Sequence, residues 1–182
     1  MPLRILIACL ALSSLGGAMS AQAKGEAQQR WELMNQIRQE KFDLVLPEVM
    51  RENGVDMWIT VNREGFDDPL TEDFGKGYVG GYGYYIFTDR GDGRIERAVL
   101  GVDTALVEDN GAYDIFANPD ELKAFVEERD PKTIALNYAL NIVAADGLSY
   151  TSFQKLSEEL GPRFAERFVS AEKLVSDFRS RR

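Results

Sequence analysis

The chain has 182 residues and a formal net charge of −9, with 45% hydrophobic and 28% charged residues, which is material for one globular domain with a real core and excludes a mainly disordered chain. It contains no histidine, which removes Ser-His-Asp and Cys-His catalysis and His-ligated zinc. The acidic balance argues against a nucleic-acid partner, because phosphate backbones are gripped by clustered Lys and Arg and no such cluster precedes the last ten residues.

Residues 1–23 read as a secretory signal peptide. Arg4 supplies the positive start, Ile5 to Met19 the apolar run, and Ala21-Gln22-Ala23 the cleavage box. Cleavage there would leave Lys24 first, take the net charge to about −10 with the loss of Arg4, and deliver a secreted or periplasmic protein. The apolar run is shorter than the ~20 residues of a membrane-spanning helix, and no later segment comes close, so no membrane partner is expected after cleavage. Cys9, the single cysteine, lies in this segment, so the exported chain would have neither a thiol nor a disulfide.

Residues 24–30 are small and polar and read as a flexible lead-in, with order beginning near Trp31. Trp31, Met34 and Ile37, then Phe42, Val45, Leu46, Val49 and Met50, recur at helical spacing on one face. A break near Asp43 lets Pro47 fall in the first turn of the second helical piece, and Asn53-Gly54 stops it. Val55 to Val61 is apolar and rich in β-formers, as a strand covered on both faces should be. Tyr82 to Thr88 and Ile95 to Gly101 are the arms of a hairpin around Asp89 to Gly93.

Asn118-Pro119-Asp120-Glu121 is a helix start with a capping box and Pro at the first position, followed by the buried stripe Leu122, Phe125 and Val126. Thr133 to Leu136 is a strand, and Asp146-Gly147 a turn. Thr151 with Gln154 reads as a second capping box, for a helix that Gly161-Pro162 ends. Phe168 to Ser170 is a short strand. A last helix from Ala171 buries Leu174, Val175 and Phe178; with no stop signal behind it, fraying is expected from Leu174 onward. The fold class is therefore α/β: one domain with a mixed, mostly buried β-sheet flanked by helices.

Gly75-Lys76-Gly77-Tyr78-Val79-Gly80 matches G-x-G-x-x-G, but it leads into a tyrosine-rich strand and opens no helix, so it reads as an aromatic-studded loop and not a dinucleotide site. Ser152 to Lys155 and Ser170 to Lys173 match S-x-x-K without S-D-N or K-T-G; capping and surface roles explain them better than acyl transfer. Asp67-Asp68, Glu72-Asp73 and Asp120-Glu121 lack the D-x-[DN]-x-[DN]-G spacing of a calcium loop and read as a solvated acidic loop and a capped helix, so no metal ligand is assigned. Arg90-Gly91-Asp92 sits where a hairpin turn wants those residues. Trp58 is expected in the core. Arg63, beyond the first strand, could clamp a carboxylate, since ligand sites in α/β sheets lie past the carboxyl ends of strands. With Tyr82 and Tyr84 it makes up the candidate binding set; no residue qualifies as catalytic.

Three segments together, Phe42 to Thr60, Ile134 to Tyr150 and Phe164 to Arg182, resemble the N-terminal domain of the creatinase, prolidase and aminopeptidase P group, the Xaa-Pro peptidases of the pita-bread metallopeptidase family. The most specific pieces are Ala145-Asp146-Gly147-Leu148 and Val169-Ser170-Ala171-Glu172 before an Arg-rich helix. The resemblance implies a non-catalytic α/β module over residues 31–170, with 171–182 starting a linker helix to a catalytic domain beyond Arg182. That domain would hold two divalent metals and every catalytic ligand, leaving this chain without a cofactor and inactive alone. The implied partners are the catalytic domain of the same polypeptide and further copies of the parent enzyme, and the implied role is to mediate oligomer contacts and shape an active-site mouth. After its first strand the chain departs from the commoner family pattern, with Asn62-Arg63-Glu64-Gly65-Phe66 and an acidic insert to Phe74. The alternative is a stand-alone exported α/β module that binds a small ligand or a partner through the Gly75 to Tyr85 loop.

Overall fold

The computed structural model describes residues 25–103 and 105–181, without the side chains of Ala105 and Leu106. The segment read as a signal peptide, residues 1–23 with Cys9, lies outside the described residues. Residues 25–40 are helical (α1), so the segment expected as a flexible lead-in is helix from residue 25. The chain divides into two compact units after Gln36, and the whole sheet belongs to the second, which begins at Ile37.

The break anticipated near Asp43 is a π-helical turn, Lys41–Val45, in which the Leu46 amide bonds the Lys41 carbonyl, and helix α2 (Leu46–Glu52) follows with Pro47 in its first turn. Proline has no amide to donate and is tolerated there. The extra residue of the π turn re-phases the apolar stripe. Phe42, Val45, Leu46, Val49 and Met50 are buried, whereas Ile37 is 42% exposed, and Arg38 is buried in its stead.

Among the described residues six strands form one sheet in the order β4-β3-β2-β1-β5-β6: β1 (Met57–Arg63), β2 (Tyr82–Asp89), β3 (Ile95–Leu100), β4 (Ile115–Ala117), β5 (Ile134–Leu136) and β6 (Phe168–Ser170). Only β2 runs against the others: β1-β2 and β2-β3 are antiparallel, and β3-β4, β1-β5 and β5-β6 are parallel. Five carboxyl ends therefore share one edge with the start of β2. Strand β4 and the short helices α3 (Thr71–Phe74) and α4 (Ala105–Glu108) carry no signal that periodicity reveals, because each is under five residues long.

Alternation along the strands divides the core in two. Trp58, Tyr85, Phe87, Val99 and Ala135 face α2 and the last helix, α8 (Glu172–Ser180). Met57, Ile59, Val61, Tyr84, Ile86, Leu100 and Leu136 face α5 (Leu122–Arg129), α6 (Tyr150–Leu160) and α7 (Pro162–Ala165). The result is the expected mixed sheet between helical layers.

Two local expectations are corrected. Helix α6 is capped by Ser149, whose Oγ accepts from the Ser152 amide at 3.2 Å, and not by Thr151, which lies inside the helix. The last helix is packed where fraying is expected from the sequence: Leu174, Val175 and Phe178 are buried, Phe178 stacks edge-on to Trp58 at 5.7 Å, and Arg181 pairs with Glu48 and Glu52. Tertiary packing does what an end-cap would otherwise do.

Candidate functional site

The carboxyl edge of the sheet is where α/β folds place ligands, and there β1 and β5 end side by side in a buried polar hub. Asn62 on β1 accepts, through Oδ1, from the Asp68 amide at 2.9 Å and the Thr71 hydroxyl at 3.2 Å. Asp68 accepts from the Leu70 amide and from Asn137 Nδ2, both at 2.9 Å. Asn137 Oδ1 in turn accepts from the Trp58 indole at 2.8 Å. Asn62, Asp68 and Asn137 are all under 4% exposed, so the acidic loop read as solvated is solvated at Asp67 and buried at Asp68. Removal from water pushes the Asp68 carboxyl up to about 6, against the pull of Leu70, Asn137 and the more distant Arg179 guanidinium.

The hub anchors α3, a four-residue helix too short to stand alone. Its terminal carbonyls are taken up from three directions. Arg38 donates to those of Glu72 at 3.1 Å and Asp73 at 2.9 Å, Tyr113 to that of Phe74 at 2.7 Å, and Tyr85 to that of Gly75 at 2.6 Å. Arg179 on α8 adds a 2.8 Å ion pair with Asp73. Both Asp68 oxygens are engaged inside the fold, which makes this carboxylate a fastening between the loops after β1 and β5 and not a reactive group.

The three candidate binding residues fall into two hollows. Arg63 and Tyr82 are register partners across β1 and β2, yet Arg63 lines a cleft of about 400 Å³ with Gly65, Asp67 and the glycine-rich loop from Lys76 to Val79. Its guanidinium lies 5.7 Å from the Phe66 ring centre. Tyr82 and Tyr84 line a second cleft of about 630 Å³ with Pro119, Asp120, Lys155, Glu158 and Glu159. Within the glycine-rich loop Gly77 is small because a Cβ there would come within 2.4 Å of Val102 and 2.9 Å of Val107.

The S-x-x-K pairs are engaged elsewhere. Ser152 bonds Ser149 and Lys155 pairs with Glu159, while Ser170 donates to the Tyr138 carbonyl and Lys173 pairs with Asp177. Among the described residues no group of three or more Asp or Glu side chains could hold a metal ion, and no helix is long and apolar enough to cross a membrane. Reading the residues one by one missed Asn62, Asp68 and Asn137; the available signal was a polar side chain directly following each of two apolar strands.

No family model matches the sequence, and no curated protein matches it. Solved structures do. The X-Pro aminopeptidase of Thermotoga maritima matches over 74% of this chain and 34% of its own, with 20% identity and a TM-score of 0.52. The prolidase of Pyrococcus horikoshii matches over 78% of this chain and 34% of its own, with 13% identity and a TM-score of 0.51. The chain thus spans about a third of the length of either. At such identities the likeness is one of fold, and the fold is that of the N-terminal domain of prolidase-type Xaa-Pro peptidases.

Proposed function

We propose that the chain is the non-catalytic N-terminal domain of an exported Xaa-Pro-type metallopeptidase, mediating oligomer contacts and shaping the mouth of an active site carried by another domain. The observation that carries this reading is the pairing of high coverage here, 74%, with 34% coverage of the aminopeptidase from Thermotoga maritima. The site chemistry agrees with it. The buried carboxylate is tied into the fold, the Ser and Lys side chains are bound to other partners, and the divalent metals of such an enzyme would belong to the catalytic domain. Export rests on the signal peptide at residues 1–23, and N-terminal sequencing of the protein recovered from the producing cell's exterior or periplasm should begin at Lys24.

Two measurements test the functional part. The reading frame after the Arg182 codon should encode an Asp, Asp, His, Glu, Glu ligand series. The purified 182-residue chain should not hydrolyse Xaa-Pro dipeptides or peptides with added manganese or cobalt; turnover by the pure chain would overturn the proposal. A stand-alone binding module is the second reading, favoured by the open cleft beside Tyr84.

A further inference from the structure

The cleft at Tyr82 and Tyr84 has an assembled character that the peptidase reading does not use. Tyr84 is 2% exposed, yet it forms part of the cleft wall. No group among the described residues hydrogen-bonds its hydroxyl, and the charge that bears on it most is the Glu159 carboxylate. The ring is packed in the core, while the hydroxyl is not among the fully buried polar atoms that lack a partner. Its partner position opens into the cleft.

The other lining groups state the charge of what would fill it. Asp120, Glu158 and Glu159 contribute three carboxylates, and Lys155 one ammonium. Lys155 is already committed, 2.7 Å from Glu159 Oε2 and 5.1 Å from the Tyr82 ring centre. The protein's own ammonium thus takes one oxygen of Glu159, Oε2, and lies over one face of Tyr82, which leaves Glu159 Oε1 free and Asp120 and Glu158 without an ion-pair partner among the described residues. Burial and the neighbouring Glu159 hold the Tyr84 phenol neutral far above its ordinary value, so its oxygen is available to accept from an N–H. The remaining wall is fixed by close packing: a Cβ on Gly101 would come within 2.7 Å of Pro119 and 2.5 Å of the Tyr82 carbonyl. Only glycine there lets Pro119, and with it Asp120, close onto the start of β2.

We infer that this cleft binds a small organic cation, an alkylammonium or alkylguanidinium, with its N–H groups shared between the Tyr84 hydroxyl and the Glu159 and Asp120 carboxylates and its alkyl part against Tyr82 and Pro119. Anions are disfavoured by the three carboxylates, and neutral ligands leave two of them unpaired. The inference stands independently of the peptidase reading, since the cleft belongs to this chain whatever domain accompanies it.

The test is an NMR titration of the full chain, with the side-chain and amide signals of Tyr82, Tyr84 and residues 155–159 observed while agmatine, n-butylammonium, n-butanol or butyrate is added. Saturable shifts confined to these residues are expected with the two cations and not with butanol or butyrate. Glu159→Gln should weaken agmatine binding about tenfold, and Tyr84→Phe by severalfold, as loss of hydrogen bonds to a charged group implies. Because Tyr84 is buried, the exposed Asp120→Asn provides a variant that leaves the core untouched, with a weakening of severalfold. Absence of saturable shifts, equal response to butyrate, or unchanged affinity in Glu159→Gln and Asp120→Asn would overturn the inference.

Discussion

The Asp68 carboxylate lies hard against the backbone of Gly147: a Cβ at position 147 would stand 2.1 Å from Oδ2 and 2.6 Å from the Pro69 ring. The turn after β5 and the loop after β1 are therefore closed on each other at a point where only hydrogen fits. Residue 147 belongs to the Ala-Asp-Gly-Leu run that carries much of the likeness to the Xaa-Pro peptidases, so the glycine has a packing reason to be there.

Gly147→Ala should accordingly cost about 1–3 kcal/mol, the range for overpacking a site whose neighbours cannot retreat. Urea unfolding followed by tryptophan fluorescence checks it. An unchanged midpoint would mean that the two loops part easily.

Asp68 should make stability fall with rising pH. Its carboxyl is held at about 6 against an ordinary 3.8, so between those values the folded chain keeps a proton that the unfolded chain has released. The stability contribution falls through that window and is level above it, by roughly 3 kcal/mol at most. Measured at pH 4 to 8, the stability of the wild-type protein relative to Asp68→Asn should decline as pH rises to about 6.5 and then stay constant. A difference independent of pH would contradict the burial of this charge.

Phe178 sits within 6.3 Å, centre to centre, of Phe42, Trp58 and Phe74. Phe178→Ala should lose about 3–5 kcal/mol. Hydrogen exchange should show the amides from Val175 to Phe178 protected to nearly the level of the central strands. Rapid exchange there would restore the frayed end that the chain's lack of a stop signal suggests.

The start of α6 offers a sharp comparison. Ser149→Ala removes the hydroxyl that accepts from the Ser152 amide and should cost about 1 kcal/mol. Thr151, exposed and one residue inside the helix, should tolerate alanine within about 0.5 kcal/mol. The reverse order in thermal melts would reinstate the Thr151 capping box.

Much of the frame was legible in the residue order. The apolar spacing from Phe42 to Met50, the β-rich run ending near Val61, the hairpin and the Asn118 to Glu121 capping box are local signals, and each element formed where its signal lies. The likeness to Xaa-Pro peptidases likewise came from short segments in order, and the sheet agrees with it. Ser149 and Thr151 show the limit of such reading: both positions satisfy a capping pattern, and only the direction of the chain arriving from the Gly147 turn selects one.

The candidate sites were legible in part. Tyr82 and Tyr84 were picked out and do share a cleft, but their company there, Pro119, Asp120 and Glu159, is more than thirty residues distant in sequence. Arg63 was grouped with them and lines a different hollow. Asp68 looked like one more surface acid, because whether a carboxylate is solvated depends on what folds over it.

The amino-acid sequence alone determined the fold class, most of the apolar stripes, the order of the helices and strands apart from β4, α3 and α4, and the absence of imidazole chemistry, since these follow from composition and nearest-neighbour spacing. Tertiary structure alone decided that Asp68 is buried against Gly147, that Arg38, Tyr85 and Tyr113 converge on the end of α3, and that the Tyr84 hydroxyl, with no hydrogen-bond partner among the described residues, stands at a cleft. Those outcomes depend on residues brought together across the sheet, where the energy of a polar group is set by its surroundings and not by its place in the chain.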